Sequence, residues 1–267
     1  MALIFQGLKK FFTFTIVLTW ASSSLAQENQ VTNWQTGLQD AASPVMAQIH
    51  SLYDFLNIII VLIVAFVLAL LIYVCYRFRE KKNPTPSKTT HNSVVEILWT
   101  VIPVIILISM GVPSLKLLFF MDKTYEPDMT LKVSGHQWYW SYEYPDHGDF
   151  TFEAWMVDEE ELEEDQPRLL TTDEVVVLPV NTNIRVLLTS DDVIHAWAVP
   201  QFGIKIDAMP GRTNETWVRI EKEGTYYGQC SELCGVNHGF MPIKIRAVSQ
   251  EAFLDWAKDA REEYAQN

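Results

Sequence analysis

Between Phe55 and Tyr76 the chain reads FLNIIIVLIVAFVLALLIYVCY, without one charged side chain. A bilayer core about 30 Å thick takes about 20 helical residues to cross, and lipid leaves no water to satisfy backbone polar groups in any open structure. The run predicts a transmembrane helix. A second run, Val94 to about Leu118 (VVEILWTVIPVIILISMGVPSLKLL), predicts another; Pro103 and Gly111 interrupt it, as packed membrane helices tolerate. The connector carries Arg77, Arg79, Lys81, Lys82 and Lys88 against one acid, Glu80. Short basic loops stay in the cytoplasm, so both ends of this hairpin face outward.

The N-terminus agrees with that topology. Lys9 and Lys10 precede an apolar stretch, Phe11 to Trp20, and small residues ending Ser24-Leu25-Ala26. That is the layout of a secretory signal, with cleavage expected after Ala26; an uncleaved membrane helix is the alternative, against which the apolar core is short. The expected organisation is therefore a signal at 1–26, an outward-facing segment at 27–54, a hairpin at 55–120 (spans 55–76 and 94–118, cytoplasmic loop 77–93) and a domain at 121–267. Charge follows the same division. Of the formal net charge of −13, the part from Met121 onward holds 28 acidic and 12 basic residues. An acidic surface repels nucleic acid and steers cationic proteins, so a basic protein partner is expected and nucleic acid is not.

Beyond Met121, short β-rich runs alternate with Gly, Pro, Asn and Asp. Strands are expected at 130–135, 138–144, 150–155, 174–180, 183–189, 213–220, 224–228 and 241–248, a spacing that indicates an all-β sandwich or barrel. Ser249 looks like the N-cap of a closing amphipathic helix with Phe253, Trp256, Ala257, Ala260 and Tyr264 on one face. The acidic segment Asp158–Asp165 (DEEELEED) is expected to be a solvated loop.

The chemistry concentrates in YYGQCSELCGVNHGFMPIKI, where Cys230, Cys234, His238 and Met241 follow at steps of four, four and three. Gly235, Asn237, Gly239 and Pro242 favour an ordered loop over a helical face. Thiolate, imidazole and thioether are soft ligands, a set that selects copper over calcium, magnesium or manganese. A lone blue-type copper needs one thiolate, so one cysteine is surplus; two thiolates bridging two coppers use both. A second imidazole must then come from elsewhere. His195, in SDDVIHAWAVP at the end of a predicted strand, is the best placed. Two other readings stay open on the residues alone. Cys230 and Cys234 could form a structural disulfide, and the site could hold copper for delivery, although a delivery site is usually exposed.

The order of signal, hairpin and acidic β domain, with GHQWYWSYEY at 135–144, DDVIHAWAVP at 191–200 and CSELCGVNHGFMP at 230–242, closely resembles subunit II of the bacterial, mitochondrial-like cytochrome c oxidases. The resemblance covers essentially the whole mature chain. It implies a cupredoxin-like domain on a bacterial inner membrane, carrying the dinuclear copper centre called CuA on its periplasmic side. It further implies bridging by Cys230 and Cys234, one copper completed by His195 and Met241, the other by His238 and the backbone carbonyl of Glu232. The Glu232 side chain would serve a magnesium or manganese ion shared with subunit I.

The remaining implied roles concern protons and partners. Trp138, which by composition alone belongs in a barrel core, would by the resemblance lie exposed above the copper site and receive electrons from cytochrome c; Trp140 and Tyr142 would pack inside. Glu143, Glu153, Asp192 and Asp207 are the candidate acids for docking cytochrome c. Glu96, which with Ser93 fits a capping box, would mark the mouth of a proton path into subunit I. The implied activity is electron acceptance for oxygen reduction to water in subunit I, coupled to proton translocation, with the other oxidase subunits and membrane lipid as neighbours. No CxxCH haem motif occurs in the chain, so the donor is a separate protein. The intact ligand set argues against the quinol-oxidising branch, and the hairpin with Glu96 against a nitrous oxide reductase. A membrane-anchored copper-delivery protein is the alternative.

Overall fold

A computed structural model describes residues 35, 37–85, 87–123, 126–164 and 166–264. The expected signal at 1–26 lies outside the described residues. Two long helices come first. α1 (Pro44–Arg77) and α2 (Ser93–Asp122) are each long and apolar enough to cross a membrane, and none of the most apolar stretch of either is buried. Phe66 is 63% exposed and Leu107 66%. Helices apolar all round and uncovered by their own chain need lipid or other protein around them.

α1 begins at Pro44 rather than Phe55, because its first turns have a second task. At about 1.5 Å per residue it is about 51 Å long, well beyond a 30 Å hydrocarbon core. Ser43 caps it: the Oγ accepts from Met46 N at 3.0 Å and donates to the Phe202 carbonyl at 2.7 Å. Ala42 joins the same contact, its N–H donating to Gln201 O at 3.0 Å and its carbonyl accepting from Glu221 N at 2.9 Å. Val45 and Met46 are buried there, so the helix is tied to the β domain at its outer end. α2 is capped by Asn92, not Ser93 as expected. Asn92, in extended backbone, accepts from Val94 N and Val95 N through Oδ1, and its own N–H donates to Glu96 Oε1 at 3.3 Å. The reciprocal cap exists one residue earlier, because Ser93 is already helical.

The β domain is two five-stranded sheets. The first has the order β3-β2-β1-β5-β8, from β1 (Met129–His136), β2 (Tyr139–Tyr144), β3 (Phe150–Ala154), β5 (Ile184–Ser190) and β8 (Asn214–Val218). The second has the order β4-β10-β9-β6-β7, from β4 (Val176–Pro179), β6 (His195–Val199), β7 (Ile204–Ala208), β9 (Gly224–Cys230) and β10 (Pro242–Val248). β1 with β5 and β10 with β4 pair in parallel; the other ladders are antiparallel.

Burial alternates strictly along β2 and β5, the period-two signature of a sheet with one face inward. Leu131, Val133, Trp140 and Tyr142 from the first sheet meet Leu178, Trp197, Tyr226, Ile243 and Ile245 from the second, all essentially unexposed. Each buried aromatic of this size contributes about 4–6 kcal/mol of transfer free energy, from about 150–250 Å² at about 25 cal/mol per Å². α3 (Gln250–Tyr264) closes the domain as expected. Ser249 Oγ accepts from Ala252 N at 3.2 Å, Phe253, Ala257 and Ala260 are buried, and Trp256 and Tyr264 pack on the core.

β6 and β7 are strands that the sequence did not lead us to expect. They are short, and the turn Pro200–Phe202 with Gly203 parts them, so the stretch reads as loop. His195 is accordingly the first residue of β6, not a loop residue after β5.

Candidate metal centre

β6 and β9 lie side by side in the second sheet, with Trp197 opposite Cys230. His195 therefore stands next to the end of β9, where the chain leaves the sheet at Cys230 and returns at Pro242. The loop between is not a helical face. Ser231 N donates to Ala196 O at 2.9 Å, and a 3-10 turn spans His238–Phe240. Gly235 has φ +127, where L side chains are strained, and a Cβ there would stand 2.9 Å from Trp138 Cζ2. Glycine lets the loop turn back onto the tryptophan.

Cys230 Sγ and Cys234 Sγ lie 3.8 Å apart, and no disulfide joins them in this structure. His195 Nδ1 lies 3.9 Å from Cys230 Sγ; His238 Nδ1 lies 3.6 Å and Met241 Sδ 3.5 Å from Cys234 Sγ. The Glu232 carbonyl oxygen is 3.4 Å from Cys230 Sγ, while the Glu232 residue itself is exposed. His195, Cys230, Cys234 and Met241 are buried and His238 is half-buried. The four other expected donors thus lie against the two cysteine sulfurs, each of which has an imidazole nitrogen beside it.

The surroundings fix these groups. The His195 ring lies on Gly135, where a Cβ would come within 2.8 Å of its Cδ2. Its Nε2 donates to Asp192 Oδ1 at 2.8 Å, which turns Nδ1 toward the sulfurs. Asp192 also accepts from Val193 N at 2.6 Å and Gln137 N at 2.7 Å. Burial works against its charge, but the hydrogen bonds from His195 and these N–H groups hold its pKa below the usual range. Trp140 Nε1 donates to Met241 O at 3.2 Å.

The two thiols do not ionise alike. Burial opposes ionisation of Cys230, yet hydrogen bonds from His195 and from the backbone at Glu232 and Ala196 bring it down to about 6. Burial and then the neighbouring Cys230 charge push Cys234 up to about 12. Two thiolates 3.8 Å apart repel each other, so both ionise together only with a cation between them.

The other expected residues fall in different places. Trp138 is half-buried against the loop rather than fully exposed, with its indole N–H sheltered and unbonded, because the Gln137 turn folds it onto Gly235. Trp140 and Tyr142 are in the core, as expected. Glu143 is paired with Lys132 across β1 and β2. Glu153 is exposed and accepts from Trp155 Nε1 at 3.1 Å, and Asp207 is exposed on β7. Sequence reasoning passed over Gln137, whose Nε2 donates to Cys234 O at 2.7 Å, and Asp191, which faces His136 Nδ1 at 3.5 Å. Their only signal was adjacency to Trp138 and Asp192.

Comparison with known proteins agrees with the geometry. The family model described as the cytochrome c oxidase subunit II periplasmic domain matches residues 129–248, and that of its transmembrane domain matches residues 31–117. The chain belongs to the cytochrome c oxidase subunit II family. A probable cytochrome c oxidase subunit 2 of Rickettsia bellii is 52% identical over 234 residues, covering 88% of this chain and 87% of that one. The cytochrome c oxidase subunit 2 of Arabidopsis thaliana is 44% identical over 250 residues, covering 91% and 96%. Among solved structures, the periplasmic domain of subunit II of the Bradyrhizobium japonicum cytochrome oxidase is 51% identical, with TM-score 0.50, covering 53% of this chain and 99% of that one. The expected family and fold are borne out: two apolar helices, a β sandwich like that domain, and a C-terminal helix. As a subunit II, the chain is a membrane protein and a subunit of cytochrome c oxidase, in a family that carries copper.

Proposed function

We propose that the chain is the electron-accepting subunit of its oxidase, holding CuA between Cys230 and Cys234. The observation that carries this is the pair of free, buried sulfurs 3.8 Å apart, each flanked by one imidazole nitrogen. The donor set fits two soft monovalent or divalent coppers and leaves no thiolate surplus. Bound there, the copper pair supplies a one-electron redox centre. Cys230 and Cys234 would hold it between them, with His195 and Met241, and His238 and the Glu232 carbonyl, as the remaining donors. Trp138, against the loop at Gly235, is where electrons arrive from cytochrome c. Glu143, Glu153, Asp192 and Asp207 are the acids proposed to steer that cationic partner, raising association rate more than affinity.

Electrons then pass to subunit I, where oxygen is reduced to water with proton translocation. The exposed Glu232 carboxylate is one ligand and needs others, so a magnesium or manganese ion there is held jointly with subunit I. Glu96, at the basic end of the hairpin, opens a proton path. The excess of Lys and Arg in the 77–93 connector supports a cytoplasmic loop in a bacterial inner membrane, with the β domain and both termini in the periplasm.

The test is to purify the full chain in detergent, load it with copper and record its paramagnetic resonance spectrum. One unpaired electron shared equally over two copper nuclei is expected. A mononuclear copper signal refutes the proposal and favours copper delivery; against delivery stands the burial of four of the donors.

A further inference from the structure

The outer end of the helical hairpin holds a cavity of about 480 Å³ between α1 and α2. Because the helices run in opposite directions, position along each gives depth. Gln48 and Ser51 on α1 and Lys116 on α2 line its outer part, and Leu52, Phe55 and Pro113 its deeper part. Phe55 opens the uncharged run of α1, and Lys116 directly follows the uncharged run 97–115 of α2. The cation therefore stands where hydrocarbon gives way to headgroups. Asp54, one residue before Phe55 and so about 100° around the helix, lies off the cavity face. Lys116 has no ion-pair partner among the described residues.

We propose that this cavity binds an anionic phospholipid. Lys116 meets the phosphate, the Gln48 amide and Ser51 hydroxyl donate to its oxygens, and the first acyl carbons lie against Leu52, Phe55 and Pro113. An ammonium-bearing headgroup would bring a second cation beside Lys116, and a free phosphate would leave the apolar wall unused. The chemistry selects a headgroup of net negative charge. Only the choice of leaflet, the outer one, rests on the topology proposed above.

The experiment uses the purified oxidase containing this chain, as wild type, Lys116→Gln and Lys116→Arg, exchanged into detergent with phosphatidylglycerol or phosphatidylcholine. Retained lipid is counted by native mass spectrometry. A basic residue near an anionic lipid surface contributes about 1 kcal/mol, so Lys116→Gln retains phosphatidylglycerol about fivefold less well. Lys116→Arg retains it like wild type, and phosphatidylcholine is unchanged across the three. Equal phosphatidylglycerol retention in wild type and Lys116→Gln overturns the proposal, as does equal retention of both lipids by wild type. So does a cross-link from Lys116 to a carboxylate of another subunit, which would make the cavity a protein interface. The copper spectrum of the same samples reports on CuA separately.

Discussion

Asp192 sits in two proposed roles, and one substitution separates them. As a docking acid it would act through its charge at the rim. As the partner of His195 it acts through hydrogen bonds: Oδ1 takes His195 Nε2 at 2.8 Å and Val193 N at 2.6 Å, and Oδ2 takes Gln137 N at 2.7 Å. Asp192→Asn keeps the shape and sets an NH₂ group against at least one of these donors. Hydrogen bonds to a charged group contribute about 1.5–3 kcal/mol. With a third of the Asp192 side chain exposed, the lower part of that range applies, about 1.5–2 kcal/mol of domain stability. The loss at the metal is of similar size. An outer partner of a ligating histidine fixes its tautomer and orientation, and removing it lowers metal affinity about 10–100-fold. Competitive copper titration of the full chain against a chelator measures this, and thermal unfolding of the copper-free chain measures the stability term. A variant with unchanged copper affinity, but slower and less salt-sensitive association with cytochrome c, would refute the reasoning and leave Asp192 as a rim charge.

Other perturbations test the proposed route of electrons and protons. Trp138→Ala slows oxidation of cytochrome c while copper content holds; unchanged electron arrival in rapid-mixing kinetics would exclude Trp138 as the acceptor. Glu96→Ala lowers turnover with electron arrival at copper unaffected, and normal steady-state oxygen consumption would show that its bond to Asn92 N is its whole purpose. Gly235→Ala puts a Cβ at φ +127 and 2.9 Å from Trp138 Cζ2, costing about 1–3 kcal/mol in strain, so the unfolding temperature falls; an unshifted transition would mean the loop yields freely.

The hairpin was legible because a helix without charge over a bilayer's thickness is at home only where water is excluded along its whole length. The start of α1 was not, because Pro44 to Asp54 mixes polar and apolar residues and is ordered by the β domain through Ser43, Val45 and Met46. Four of the six donors were legible as residue types in the short interval 230–241 and His195 in a separate segment, while the Glu232 carbonyl came only with the resemblance. What the sequence withheld was the element under His195. β6 is five residues long, and its neighbours β7 and β9 are supplied by later parts of the chain. Strand pairing of this kind is decided by the sheet, not by local preference. The strand expected at 138–144 began one residue too soon for a related reason. Period two puts Trp138 on the face shared by Trp140, Tyr142 and Tyr144, all in the core, yet β2 starts only at Tyr139, so the turn sets Trp138 free of that alternation.

Gln137 explains why the site acts as one body. Its N–H is bound to Asp192, which is bound to His195, and its side chain is bound to the Cys234 carbonyl at 2.7 Å. The turn bearing the proposed electron acceptor, the strand bearing one imidazole and the loop bearing both thiols are thus one hydrogen-bonded unit, assembled from three separate stretches of chain. Moving any one of them breaks bonds to the others. A redox centre exchanging single electrons benefits from that, because donor atoms that cannot shift on reduction cost little reorganisation on each transfer. The same linkage makes Gln137 a part of the centre although it offers no donor atom of its own.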